Sequence, residues 1–280
     1  MSQKQGVFHL KTYADAGKAV DYLGLTEIAV VEVDNIIALQ SACHLRNLGK
    51  ETIVVVPSDH LLSDILDKDV ADYLTEQLQR LGVRFVFNNG IVEVLGDGEA
   101  KAIRLKTGKV LESQMVVFSQ ADKNLSLLNT DDLLKEETDY FIKYEDVYCA
   151  KDLKSHLDRS IWEDFFIGRY ALGGQGKNIA AAFFKQPNSF IEAPLERSFD
   201  LEGLSVALLG SAKRNDHTVA YMKVDYRMDA YKKIFVQEEV VKGAALINHQ
   251  ADAGALVQLI NDQKSIKGIG MSVVDYPRTA

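Results

Sequence analysis

The stretch Thr26–Leu48, TEIAVVEVDNIIALQSACHLRNL, leaves this chain few folds to choose from. Glu27–Val33 is a continuous apolar run of the kind that forms a strand covered on both faces. A tight turn follows, and Ile36–Leu48 then reads as an amphipathic helix that stops at Gly49, a residue suited to the position after a helix. Strand, turn and helix in that order open a βαβ unit of the dinucleotide-binding kind. The turn, however, lacks the glycines that such binding relies on.

The flanking chain supplies matching pieces. A short strand at Val7–Leu10 and a helix over Asp15–Leu23 lead in. Glu51–Val56, ETIVVV, is apolar almost throughout, and Asp67–Leu81 places Val70, Leu74, Leu78 and Leu81 on one helical face. The periodicity then shortens to strands at Arg84–Phe87, Ile91–Leu95, Lys101–Lys106 and Val110–Phe118. Asn88-Asn89-Gly90, Gly96-Asp97-Gly98 and Thr107-Gly108 join them as hairpin-type turns. Residues 1–118 are thus expected to form a Rossmann-like α/β domain with an inserted antiparallel meander.

Residues 119–195 are less regular. Asp146–Ala150 reads as one short strand, Ile161–Phe184 as a helix broken near Gly173-Gly174, and Pro187 and Pro194 bracket a linker. From 196 to 280 the pattern changes again. Strands at Leu204–Leu209, Val219–Tyr226, Tyr231–Val236 and Val240–Ile247, then a helix at Ala251–Lys264, predict an antiparallel α+β domain.

Composition removes several function classes. A formal net charge of −8, without clustered Lys and Arg, argues against nucleic acid as a partner. Cys43 and Cys149 form no C-x-x-C pair, and the six histidines show no metal-ligand spacing, so neither a redox dithiol nor a metal site is expected. The opening MSQKQGVFHLK has no apolar core of signal-peptide length, and no stretch is long enough to span a membrane. A cytoplasmic location is the expectation.

Taken in order, GVFHLKTYADA, DHLLSDILDKDVADYLTEQLQRLGVRFVFNNGIVEVLGDGEAKAIRLKTGKVLESQMVVFS, DVYCAKDL, ALGGQGKNIAAAFF and YKKIFVQEEVVKGAALI resemble the pyridine nucleotide-disulfide oxidoreductases. The nearest group is similar to the rubredoxin, ferredoxin and nitrite reductase-type NAD(P)H flavoprotein reductases. The resemblance implies an NAD(P)H-type domain at 1–118, a remnant of an FAD-binding domain at 119–195 and a reductase-type C-terminal domain at 196–280. It also implies that the family's N-terminal flavin-binding half has no counterpart in this sequence.

On that resemblance the cofactor-binding positions fall on Val33, Asp34, Asn35, Ile36 and Asp152. The G-x-G-x-x-G fingerprint lands on Val33, Asn35 and Ala38. Its first glycine makes the turn, its second admits the pyrophosphate, and its third lets helix pack on strand. Asn35 puts a side chain where the pyrophosphate would lie, while Glu32 and Asp34 add negative charge beside it. The ribose-holding acid falls on Val56, the glycine after the last strand on Gln120, and the glycine of the flavin-contacting A-G-D segment on Lys151. Asp152, the carboxylate of that segment, remains. Two readings of the corner stay open: a strand-to-helix connection kept for packing, or an altered nucleotide site in which Asn35 donates a hydrogen bond. Asn tolerates positive φ, so the turn could keep its shape.

Two functions follow as expectations. The first is a degenerate, non-catalytic or accessory subunit of a redox assembly, holding no cofactor by itself. The second is an active subunit that shares FAD or NAD(P)H with a flavoprotein partner chain and passes electrons to a small redox protein. A partner chain, self-association or local refolding would cover apolar side chains such as Val147, Tyr148, Phe165, Phe166, Phe183 and Phe184.

Overall fold

A computed structural model describes residues 4–10, 12–118, 136–137, 141–144, 147–150, 177, 180–181, 183–184, 196–214, 217–267 and 275. Internal contacts divide the chain into two units, residues 1–120 with 198–280, and residues 121–197.

The first unit is built on a parallel five-stranded sheet. Its strands are β1 (Val7–His9), β2 (Ile28–Glu32), β3 (Glu51–Val55), β4 (Arg84–Val86) and β8 (Met115–Phe118), in the order β1-β8-β2-β3-β4. Helix α1 (Tyr13–Asp21) precedes β2, α2 (Ile36–Asn47) joins β2 to β3, and α3 (Lys68–Arg80) joins β3 to β4. Strands β2 and β3 run in register from Ile28 opposite Glu51 to Glu32 opposite Val55. Their central residues are buried on both sides, which is why the sequence there is apolar without alternation.

Alternate residues divide the two faces of this sheet. Val30, Ile53, Val55 and Val116 pack against Ala100, Ile103 and Leu105 of an antiparallel meander. That meander comprises β5 (Ile91–Leu95), β6 (Ala102–Leu105) and β7 (Val110–Glu112). The in-between residues of β2 and β8 are left for the face that carries the helices.

Two details differ from the sequence expectation. Strand β4 belongs to the parallel sheet, so Asn88–Gly90 is a crossing between sheets and not a hairpin. It is held by Asn88 N–H on Ser58 O at 2.9 Å and Asn89 N–H on Val56 O at 3.1 Å. The single strand expected over Val110–Phe118 is two strands, with the change of sheet at Ser113-Gln114. Ser113 is fully buried, and its hydroxyl donates to Met115 O at 2.6 Å. Gln114 Oε1 accepts the N–H groups of Glu27 and Ile28 at 3.2 and 2.8 Å, tying the break to the start of β2.

The same unit contains an antiparallel sheet of order β12-β13-β16-β15-β14. Its strands are β12 (Glu196–Leu201), β13 (Leu204–Gly210), β14 (Val219–Asp225), β15 (Ala230–Gln237) and β16 (Val240–Ile247). Helix α4 (Ala253–Asp262) packs Leu256 and Leu259 on Leu209, Ile234, Ala244 and Leu246. Strand β12 is an addition to the expected set. Its ERSFDL sequence has no apolar run, because an edge strand needs only part of one face covered. Strand β15 is buried almost throughout, and this burial includes Lys232 and Lys233.

In the second unit the described residues form a three-stranded antiparallel sheet, β9 (Glu136–Glu137), β10 (Phe141–Tyr144) and β11 (Val147–Ala150). Strand β11 is the short strand expected at Asp146–Ala150, with Cys149 opposite Ile142. Phe184 N–H donates to Ala180 O at 3.0 Å, one helical turn back, and Phe183 and Phe184 are both exposed. Pro187, Pro194, Phe165 and Phe166 lie outside the described residues. The mixed α/β class read from the sequence is the class observed.

Candidate functional site

The corner between β2 and α2 is built by Val33, Asp34, Asn35 and Ile36. Val33 extends the β2–β3 ladder by one bond, its N–H donating to Val55 O at 2.9 Å, and it is buried. Asn35 is the N-cap of α2, with φ −147° and ψ 172°. This is extended backbone that any residue adopts, so the corner makes no use of the positive φ that asparagine tolerates.

The Asn35 side chain is the centre of the corner. It is only 2% exposed, and its Oδ1 accepts the Ala38 N–H at 3.0 Å. An asparagine in this position satisfies one of the donors a helix leaves unpaired at its start. Those same N–H groups are what a phosphate uses at a helix N-terminus. The amide also donates, through Nδ2, to Asp34 Oδ1 at 2.7 Å. Asp34 itself is exposed, while Ile36 and Ala38 are buried. The Asn35 oxygen thus takes a helix donor, and its nitrogen holds the adjacent carboxylate.

Glu32 behaves differently from the expectation of a second carboxylate facing the corner. Its Oε2 accepts the Ile91 N–H at 2.6 Å, directing it towards the meander. Burial pushes its carboxyl above the usual range, offset in part by the Ile91 N–H and the Lys106 charge. Val56, where a ribose-binding acid would stand, is buried, with its N–H on Val86 O at 2.9 Å. Asp152, Lys151 and Gln120 lie outside the described residues. Cys43 is a free, buried thiol on α2, pushed up to about 12 by burial and then by Glu202 and Asp200, which suits a core residue and not a nucleophile. Among the described residues no group of three His, Cys, Asp or Glu side chains could hold a metal ion.

A second feature was not anticipated. Further along α2, Gln40 meets Asp200 near the end of β12 and His44 meets Glu202 in the β12–β13 turn. These pairs are separated by 160 and 158 positions in the chain, so no local pattern announces them.

Comparison with known proteins places this geometry in context. Residues 35–113 match the family described as pyridine nucleotide-disulphide oxidoreductase. The large subunit of NADH nitrite reductase from Escherichia coli (strain K12) is 26% identical over 267 residues, which are 92% of this chain and 32% of that protein. The assimilatory nitrate reductase electron transfer subunit of Bacillus subtilis (strain 168) is 21% identical over 287 residues, covering 100% of this chain and 36% of the relative. This chain thus spans about a third of the length of these curated relatives. Among solved structures, the ferredoxin reductase for the CYP199A2 system from Rhodopseudomonas palustris aligns with a TM-score of 0.72 at 13% identity, over 92% of this chain and 65% of that one. A NAD-dependent persulfide reductase from A. fulgidus gives a TM-score of 0.71 at 17% identity, over 95% and 55% of the two chains. At these identities the structures establish a shared fold. The family resemblance read from the sequence is borne out. No helix among the described residues is long and apolar enough to cross a membrane.

Proposed function

As this chain is related to the pyridine nucleotide-disulfide oxidoreductases, we propose that it is an accessory subunit of a redox assembly, with its nucleotide corner kept for packing and not for chemistry. The observation that carries this is the bond from Ala38 N–H to Asn35 Oδ1 inside a buried corner. A diphosphate would have to displace that oxygen and then face the Asp34 carboxylate that Asn35 holds in place. The residues present do not fit the group, so no hydride or electron step is assigned to this chain alone. FAD or NAD(P)H is held, on this reading, only jointly with a flavoprotein partner chain.

A second reading is favoured by the relatives. One of them is named as an electron transfer subunit, and one structural neighbour is a covalent complex of putidaredoxin reductase with putidaredoxin. Carried over to this chain, those names suggest a working oxidoreductase subunit that shares its cofactor and delivers electrons to a small redox protein.

Titration of the purified chain with NADH, followed by ligand fluorescence and flavin absorbance, tests the first reading, and NADH oxidation by the chain with its co-purified partner, beyond that of the partner alone, separates it from the second. The accessory reading expects a colourless protein with no saturable NADH signal. It also expects Asn35→Gly with Val33→Gly to gain measurable affinity if the two side chains alone block the corner. Flavin retained through purification, or saturable NADH binding by the unaltered chain, overturns it. Native mass spectrometry of the untagged protein then tests for a partner chain or a homo-oligomer.

A further inference from the structure

Helix α1 has a complete capping box, Thr12 and Asp15 bonding each other's backbone N–H, yet it buries none of its residues. A cavity of about 410 Å³ opens between α1, α2 and β8, with Ala16 and Ala19 of α1 in its lining. Val20, Leu23 and Leu48, the last just past α2, give it accessible apolar walls, while Met115 and Val117 of β8 lie closed off beneath, 0 and 1% exposed. Met115 and Val117 alternate with Val116, which faces the meander, so the cavity lies on the helix side of the sheet.

The polar groups at this cavity carry one sign of charge in excess. Asp200 and Glu202 stand on its rim with Gln40 and His44. Gln40 Nε2 donates to Asp200 O at 3.1 Å, His44 Nδ1 and Glu202 Oε1 are hydrogen-bonded at 2.9 Å, and Gly203 N–H donates to Asp200 Oδ1 at 3.0 Å. Glu202 holds φ at 53° and Gly203 at 93°. A hairpin turn with two positive φ values favours Asn or Asp before Gly, so Glu202 is set in place against its own preference. The field of these carboxylates reaches the α2 wall, where both add to the upward push on the Cys43 thiol.

We propose that this cavity binds a small amphipathic amine, its apolar body along Val20, Leu23 and Leu48, above Met115 and Val117, and its protonated nitrogen at Asp200 and Glu202. The volume is within the usual range of small-molecule sites, roughly 300–1,000 Å³, and an apolar lining with a few convergent polar groups is their usual make-up. Two carboxylates on the rim repel an anionic head and attract a cationic one. The inference does not rest on the nucleotide corner, which lies at the opposite end of α2.

The test uses the full chain with methyl-labelled methionine, titrated with phenylbutylamine, phenylbutanol and phenylbutanoate. Saturable displacement of the Met115 methyl resonance, assigned through Met115→Leu, is expected, with the amine about tenfold tighter than the alcohol and the acid weakest. Glu202→Gln narrows the gap between amine and alcohol while leaving the alcohol unchanged. Ala19→Leu fills the cavity and abolishes binding of all three, with the dispersion of the other methionine signals showing that the fold persists. The proposal is overturned by the absence of a saturable Met115 response, by an acid that binds as well as the amine, or by Ala19→Leu leaving affinity intact. A Met115 shift that follows protein concentration without any probe also overturns it, since a second copy would then fill the space.

Discussion

The β2–α2 corner and strand β15 both bury polar side chains, and they satisfy them over very different spans of sequence. At the corner, Asn35 finds its acceptor role on Ala38, three residues on, and its donor role on Asp34, one residue back. On β15, adjacent lysines point to opposite faces and are buried on both. Lys232 Nζ reaches Asp252 Oδ2 at 2.6 Å, while Lys233 Nζ bonds Asp67 and lies 2.7 Å from Asp69 Oδ2. The partners of Lys233 are 166 and 164 positions away, at the start of α3. A corner closed by neighbours survives the loss of distant parts of the chain. The β15 arrangement holds only when the Rossmann-like and C-terminal parts are docked, because a buried lysine without its carboxylate is an uncompensated charge.

The largest effect should come from breaking the distant arrangement on one side only. Asp67→Ala leaves Lys233, 1% exposed, with the more exposed Asp69. Loss of about 3–5 kcal/mol is expected in urea unfolding. Lys233→Met, which removes the charge along with the need for a partner, should cost far less, and a Lys233→Met, Asp67→Ala double variant should recover most of the single-variant loss. Equal losses in all three would mean that packing, not charge, sets the cost. The pair has a pH signature as well. The hydrogen bond from Lys233 holds the Asp69 carboxyl below the usual carboxylate range. A lowered value in the folded state adds stability above the unfolded carboxyl's range, and that stability is lost as pH falls through the folded value. Acid unfolding should therefore shift to higher pH in Asp69→Asn.

The local arrangement should break more gently. Asn35→Ala removes the cap on Ala38 and is expected to cost about 1 kcal/mol, whereas Asn35→Gly should cost only a few tenths. Thermal melts of the two variants side by side check this. A loss from Asn35→Ala as large as that from Asp67→Ala would remove the distinction between near and distant satisfaction.

What the sequence reveals follows the same division. The β2–α2–β3 order, the eroded fingerprint at Val33, Asn35 and Ala38, and the meander turns at Gly96-Asp97-Gly98 and Thr107-Gly108 are all local, and periodicity or turn chemistry exposes them. Even the capping role of Asn35 could have been read from an asparagine placed directly before the helix. The change of sheet shows in the sequence only as the short polar run Glu112-Ser113-Gln114, which looks like the solvent side of one strand, and the backbone partners Lys101 and Ile28 establish it. Lys232 and Lys233 look like surface residues, since nothing near them signals a carboxylate at position 67, 69 or 252. The rim formed by His44 with Glu202 escaped for the same reason.

The smallest expected effect lies between the two cases, at Glu32, whose partner Ile91 is 59 positions away although the carboxylate belongs to the corner's own strand. Burial raises its carboxyl pKa in the folded protein. A raised value means that the charged form is less favoured folded than unfolded. The stability it contributes is present in full below the unfolded carboxyl's range and is lost as pH rises through the folded value. Glutamine keeps an oxygen for the Ile91 N–H and carries no charge to desolvate. Glu32→Gln should therefore match the unaltered chain below the unfolded carboxyl's range and exceed it slightly once pH has risen through the folded value, read from paired urea titrations. A gap that does not grow with pH would mean that the Lys106 charge cancels the burial, and Glu32 would then belong with the distant, charge-compensated lysines and not with the self-contained corner.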